Sequence, residues 1–140
     1  MVSGAPSTAH SLLTGADPLE AARAAGSVVL GARERRTGPL LAAAVPAHLA
    51  VSLFWAFVMP RRAGVVGGAV FGLAVAALDL GVLARWFPRV RALPLGPQVA
   101  DHLVYGAVAG WALRSGGGGG VGAPLGRGWR VVAGSVAPRE

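Results

Sequence analysis

The sequence predicts an all-α membrane protein: three transmembrane helices preceded by a short N-terminal amphipathic helix. Three observations predict it. The 140-residue chain is 54% hydrophobic, with a mean hydropathy of +0.57. Charged residues make up 14%, against about 25% in an ordinary soluble domain. The charges are also bunched, so that long charge-free stretches alternate with short arginine clusters, the layout of spans and their loops.

Residues 1–16 are rich in Ser, Ala, Gly, Thr and Pro without periodicity and are expected to form a disordered leader. They lack the basic and apolar regions of a secretory signal. Residues 17–36 are expected to be helical, with Asp17 at the N-cap, Pro18 at the first helical position and Glu20 completing a capping-box-like start. The body, Leu19 to Leu30, contains Arg23 and runs into Arg33-Glu34-Arg35-Arg36. It falls short of the roughly 20 apolar residues needed to cross a bilayer. An interfacial or cytosolic helix is therefore expected, with an extra span as the alternative.

A three-span membrane domain is expected over residues 37–114. The first span covers about residues 40–59, bounded by Arg36 and by Arg61-Arg62, with Trp55 and Phe57 toward one end and Pro46 predicting a mild kink. The second covers about residues 63–83. The turn before it is so short that the two spans are expected to form a tight antiparallel hairpin. Residues 88–97 hold three prolines and are expected to form a proline-rich, basic loop with no helix running through it. The third span covers about residues 98–113 and is short for a bilayer. Residues 115–140, with five consecutive glycines from Gly116 to Gly120, read as a flexible tail in which Trp129, Val131 and Val132 are candidates for contact with the membrane surface.

All Lys/Arg positions are arginine, and the chain's net charge of +7 raises the question of nucleic acid. Their position at the borders of apolar segments instead fits anchoring to anionic headgroups. The expected partners are the lipid bilayer, a second copy of the chain or other membrane proteins, and not nucleic acid. Arg23, Arg33, Arg35, Arg36, Arg85, Arg89 and Arg91 on one side outnumber Arg61, Arg62, Arg114, Arg127 and Arg130 on the other. The positive-inside rule then predicts a multi-pass protein of the plasma membrane with its N-terminus cytoplasmic and its C-terminus outside.

Two patterns inside the spans carry physical information. Gly64, Gly68, Gly72 and Ala76 place a small residue at every fourth position, and Gly106 and Gly110 repeat the device in the third span. Such stripes let helices approach closely, so that van der Waals contact replaces the hydrophobic drive that lipid removes. Packing within the chain and self-association through the second span are both open. The second pattern is polar: His48, Ser52, Asp79, Arg85, Asp101 and His102 lie in or beside apolar segments, where polar groups are costly and turn toward protein or water. His48, Ser52 and Trp55 share a helical face, Asp79 continues the glycine stripe, and His102 shares its face with Gly106 and Ala109. At ~1.5 Å per residue, His48 lies roughly 12 Å into its span, and Asp79 and Asp101 roughly 6 Å from span ends on the same side. One polar cluster is therefore expected, with Arg85 at its mouth.

That cluster has competing readings: a network fixing helix register, a proton- or ion-linked site, and haem or metal ligation by its histidines. No cysteine is present, which removes disulfides and thiolate chemistry. There is no GxSxG, P-loop or HExxH signature, and no enzyme activity, cofactor or metal is expected. The expected role is that of a non-enzymatic helical packing or interaction unit. The alternative is a small oligomeric proton- or ion-linked transporter or channel component.

The stretch from Asp79 to Gly106 reads D-L-G, then R-W-F-P, then A-L-P-L-G-P-Q-V-A-D-H, then an aromatic and glycine. With the preceding His48 and Ser52-Leu53-Phe54-Trp55, it resembles small uncharacterised integral membrane proteins of actinobacterial type. The resemblance covers about residues 39–113. It implies a membrane location and no catalytic role.

Overall fold

The computed structural model describes residues 4–117 and is all-helical, with no strand among the described residues. Its helices are α1 (Ala5–Thr14), α2 (Glu20–Leu30), α3 (Thr37–Val58), α4 (Gly64–Gly81), α5 (Pro88–Arg91) and α6 (Leu95–Gly117), with a single 3-10 turn (Leu83–Trp86) after α4. Two stretches, Thr37–Val58 and Gly64–Trp86, are long and apolar enough to cross a membrane.

Several borders differ from expectation. The leader is not wholly disordered: residues 5–14 form α1. A proline in its first turn needs no hydrogen bond there, and Gly15 closes it at φ 71°. Helix α2 begins at Glu20 rather than at Pro18. Asp17 does not cap it, because its carboxylate accepts the Leu19 N–H at 2.8 Å in a local turn. The Arg23 guanidinium bridges back to Asp17 and to Glu20 Oε2, the latter at 2.9 Å. Gly31, at φ 86°, ends α2, so the arginine cluster lies in the turn. There the Arg36 guanidinium, helped by backbone N–H groups, holds the Glu34 carboxyl down to about 2. No helix runs through residues 88–97, but the loop is shorter than expected. Pro88 opens α5, and α6 already begins at Leu95, because proline is compatible with a first turn. Helix α6 runs on to Gly117, so residues 115–117 are helical and the remainder of the expected tail, with Trp129, Val131 and Val132, lies outside the described residues.

Packing follows two close pairs. Helix α4 lies against α6, and α2 runs back along the N-terminal half of α3, burying Leu40 and Ala44. Contact between α3 and α4 is made by long side chains instead, with the Trp55 and Phe71 rings edge to face at 6.0 Å. The expected tight hairpin is therefore a short turn joining two helices whose backbones pack against other partners. Helix α1 lies on α6. Helix α5 touches the α2–α3 turn, where Arg89 donates to the Glu34 carbonyl at 3.4 Å.

The glycine stripe explains the closest pair. A Cβ on Gly68 would sit 2.1 Å from the Gly106 carbonyl oxygen, and one on Gly72 would sit 2.2 Å from that of His102. Reciprocally, a Cβ on Gly106 or Gly110 would meet the Gly68 or Gly64 oxygen at 2.1 Å. No larger residue fits between these backbones. Ala76 is buried along the same line. The stripe is used inside the chain, which leaves Gly64, Gly68 and Gly72 covered by α6 rather than available for a second copy.

Candidate functional site

The α4–α6 contact also carries the polar pair. Asp79 lies seven residues beyond Gly72 on α4, and His102 lies four residues before Gly106 on α6. The residues that bring the backbones together thus bring these side chains together. His102 Nε2 is 3.3 Å from Asp79 Oδ2, and both side chains are about a quarter exposed or less, at 20% and 26%. His102 Nδ1 is 2.8 Å from the Gln98 carbonyl oxygen, one turn back.

The proton inventory follows from these partners. A carbonyl oxygen only accepts, so Nδ1 must carry a hydrogen. In a neutral imidazole Nε2 is then an acceptor, and a bond to Asp79 requires a protonated carboxyl. In an imidazolium Nε2 donates to a carboxylate. In either of these two states the contact would hold one proton between nitrogen and oxygen, beyond the one on Nδ1. The arrangement can keep a proton at a helix–helix interface and pass it between two atoms, and it fixes the register of α4 on α6 at the same time.

The other expected members are distributed differently. Asp101 is adjacent, and its Oδ1 accepts the Ser7 backbone N–H at 3.0 Å, tying α1 to α6. Ser52 takes part through its carbonyl, which accepts from the Tyr105 hydroxyl and links α3 to α6. His48 is half-buried on the α3 face that also carries Ser52 and Trp55. Arg85 does not close the mouth of the pair. Helix α4 ends at Gly81, and the following 3-10 turn carries Arg85 into a separate groove with Leu80, Gly81, Ala84 and Arg91. Of the six, His102 and Asp79 are seen in direct contact, with Asp101 beside them. No group of three or more metal-ligating side chains is gathered among the described residues.

Tyr105 and Gly26 are positioning residues that sequence reasoning missed. Tyr105 stands three residues after His102 and shares its face, a signal available from helical spacing. Gly26 follows Ala22 at a four-residue step, the same small-residue device as in α4.

The dyad makes a measurable claim. In a double-mutant cycle on detergent-purified protein, His102→Ala and Asp79→Asn are each expected to destabilise by about 1 kcal/mol, with the double variant costing less than the sum. Asp101→Asn is expected to be nearly neutral, because asparagine keeps the oxygen that accepts the Ser7 N–H. Strict additivity of the first two would show that the contact does not act as a pair.

Compared with protein-family models, curated proteins and solved structures, the chain matches none.

Proposed function

We propose that this chain is an integral membrane protein crossing the bilayer three times, through α3, α4 with its 3-10 turn, and α6, and acting as a non-enzymatic helical packing and interaction unit. One observation carries the reading. The core helix of a soluble protein is mostly buried, whereas only 6% of the most apolar window of α3 is buried here. Phe57 is 85% exposed and Leu53 68%, and Val45, Leu49, Val51 and Phe54 lie open beside them. In water such a continuous apolar surface drives aggregation; in lipid it is the ordinary face of a span.

The third span rests on length and on contact. The 23 residues of α6 reach roughly 34 Å at ~1.5 Å each, enough for the hydrocarbon core. Its glycines lie flush against α4 over most of that helix. Its polar groups, Asp101 and His102, find partners inside the protein, as intramembrane polar groups must. Arg33, Arg35, Arg36, Arg85, Arg89 and Arg91 gather at the end where the α2–α3 turn meets α5, which supports a cytoplasmic N-terminus. The resemblance of residues 39–113 to small integral membrane proteins agrees with this location.

A second reading, a proton-linked component of an oligomer, is favoured by the 3.3 Å approach of His102 Nε2 to Asp79 Oδ2. The first reading ranks above it because the same contact fully accounts for both side chains as a register lock.

The chain is expected to sediment with membranes through alkaline carbonate and to be released only by detergent. Recovery in the supernatant without detergent would overturn the reading. Span number has its own test in this cysteine-free chain. Gly38→Cys and Ser115→Cys are expected to react with an impermeant maleimide from opposite sides of sealed vesicles. Labelling from one side would leave two spans.

A further inference from the structure

A groove of about 450 Å³ opens between the end of α4, the 3-10 turn and α5, lined by Leu80, Gly81, Ala84, Arg85 and Arg91. Its size falls within the range of about 300–1,000 Å³ typical of small-ligand sites. Its chemistry is two-sided. Leu80 and the buried Ala84 supply apolar lining, and Arg85 and Arg91 supply basic lining. Among the described residues neither Arg85 nor Arg91 has a carboxylate within salt-bridge distance, whereas Arg23 and Arg36 are both paired. The local acidic group, Glu34, is already engaged by Arg36. The groove therefore presents uncompensated positive charge beside an apolar surface.

We infer that this groove binds the phosphate of an anionic phospholipid, with Arg85 and Arg91 holding the phosphate oxygens and the apolar lining of Leu80 and Ala84 receiving the upper part of an acyl chain. The inference rests on the three-span reading, which puts the end of α4 at the headgroup level. Arginine suits this task because its planar fork matches a phosphate bidentately and is less strongly hydrated than an ammonium group. The lipid source is favoured over free phosphate by the surroundings. Val82, Leu83 and Trp86 are exposed next to the groove, and a tryptophan at this position is the usual marker of the interface. Among the described residues, the groove at the opposite end differs. Lined by Gly64, Val65, Trp111, Arg114 and Ser115, it offers one guanidinium, and that side chain lies over Gly64. The inferred lipid site therefore lies at the arginine-rich end, where basic pockets beside spans meet the anionic leaflet.

The test uses the full chain in micelles containing equal amounts of phosphatidylglycerol and phosphatidylcholine, with bound lipid read by native mass spectrometry. The wild type is expected to retain phosphatidylglycerol about tenfold over phosphatidylcholine. The double variant Arg85→Gln/Arg91→Gln is expected to lose that preference, and Arg61→Gln/Arg62→Gln, which removes the same charge elsewhere, to keep it. Equal loss in both double variants would overturn the site, since it would report net charge alone. Displacement of the bound lipid by excess inorganic phosphate, independent of acyl-chain length, would assign the groove to free phosphate and overturn the lipid proposal. Each protein is also reconstituted into vesicles and washed with carbonate. Release there defeats the membrane reading and this inference with it; a carbonate-resistant chain without lipid preference defeats the inference alone.

Discussion

Gly106→Ala is expected to cost about 2 kcal/mol, through separation of α4 from α6. The added methyl group would lie 2.1 Å from the Gly68 carbonyl oxygen and 2.9 Å from the Gly72 nitrogen. Both are backbone atoms, so no side-chain rotation relieves the clash and the helices must part. Two effects oppose each other. Alanine is the better helix former by about 1 kcal/mol. Overpacking at a close contact costs about 1–3 kcal/mol or more. In addition, a shift of under 1 Å forfeits a quarter or more of each dispersion contact along the whole stripe. The loss outweighs the gain, and Gly106→Val should be worse. Gly81→Ala is the matched control: nothing lies within 4 Å of its added carbon, so its effect should stay within about 0.5 kcal/mol. Thermal unfolding in detergent followed by helical circular dichroism reads both. If Gly106→Ala melted at or above the wild type, the close α4–α6 contact would be refuted.

Gly26→Ala should act with similar force on a different part of the molecule. Its added carbon would meet the Leu40 carbonyl oxygen at 2.0 Å, again backbone against backbone. Because α2 is short and packs on α3, the expected result is release of α2 with the α4–α6 pair left standing. The readout exploits the lack of native cysteine. Ser27 is buried, and its hydroxyl is bonded to the Ala24 carbonyl at 2.7 Å, so Ser27→Cys is a near-isosteric reporter of the α2–α3 contact. A water-borne maleimide should label this thiol slowly in the parent and at least tenfold faster with Gly26→Ala, which corresponds to about 1.4 kcal/mol of weakened docking. Identical rates would show that α2 does not depend on this contact.

The two variants separate two levels at which the molecule is held together. The α4–α6 contact positions His102 against Asp79, so loosening it should also disturb the dyad. The α2–α3 contact positions the arginine-bearing turn that meets α5, so loosening it should reach the groove at the arginine-rich end.

How much of this was legible beforehand depended on range. The apolar stretches of α3 and α4 were readable because hydropathy is a property of consecutive residues. The Gly64–Gly68–Gly72 stripe and the shared faces of Asp79 and His102 were readable because helical spacing alone sets them. Helix α1 was not, since nothing in residues 5–14 favours a helix strongly; the bond from the Ser7 N–H to Asp101 spans 94 positions. The prolines of residues 88–97 read as helix breakers, yet Pro88 begins a helix, because proline breaks an interior and tolerates a first turn.

The sequence by itself determined that the described residues are largely helical, that the segments of α3 and α4 are apolar enough for lipid, and which residues are small or polar on each helix. Those features follow from local composition and from the fixed rotation of a helix. Only the tertiary structure decided which stripe meets which: α4 with α6 and α2 with α3, Asp79 with His102, and Arg85 turned away into a groove with Arg91. Partner choice depends on how closely whole backbones can approach, a property of two surfaces at once that no single helix encodes.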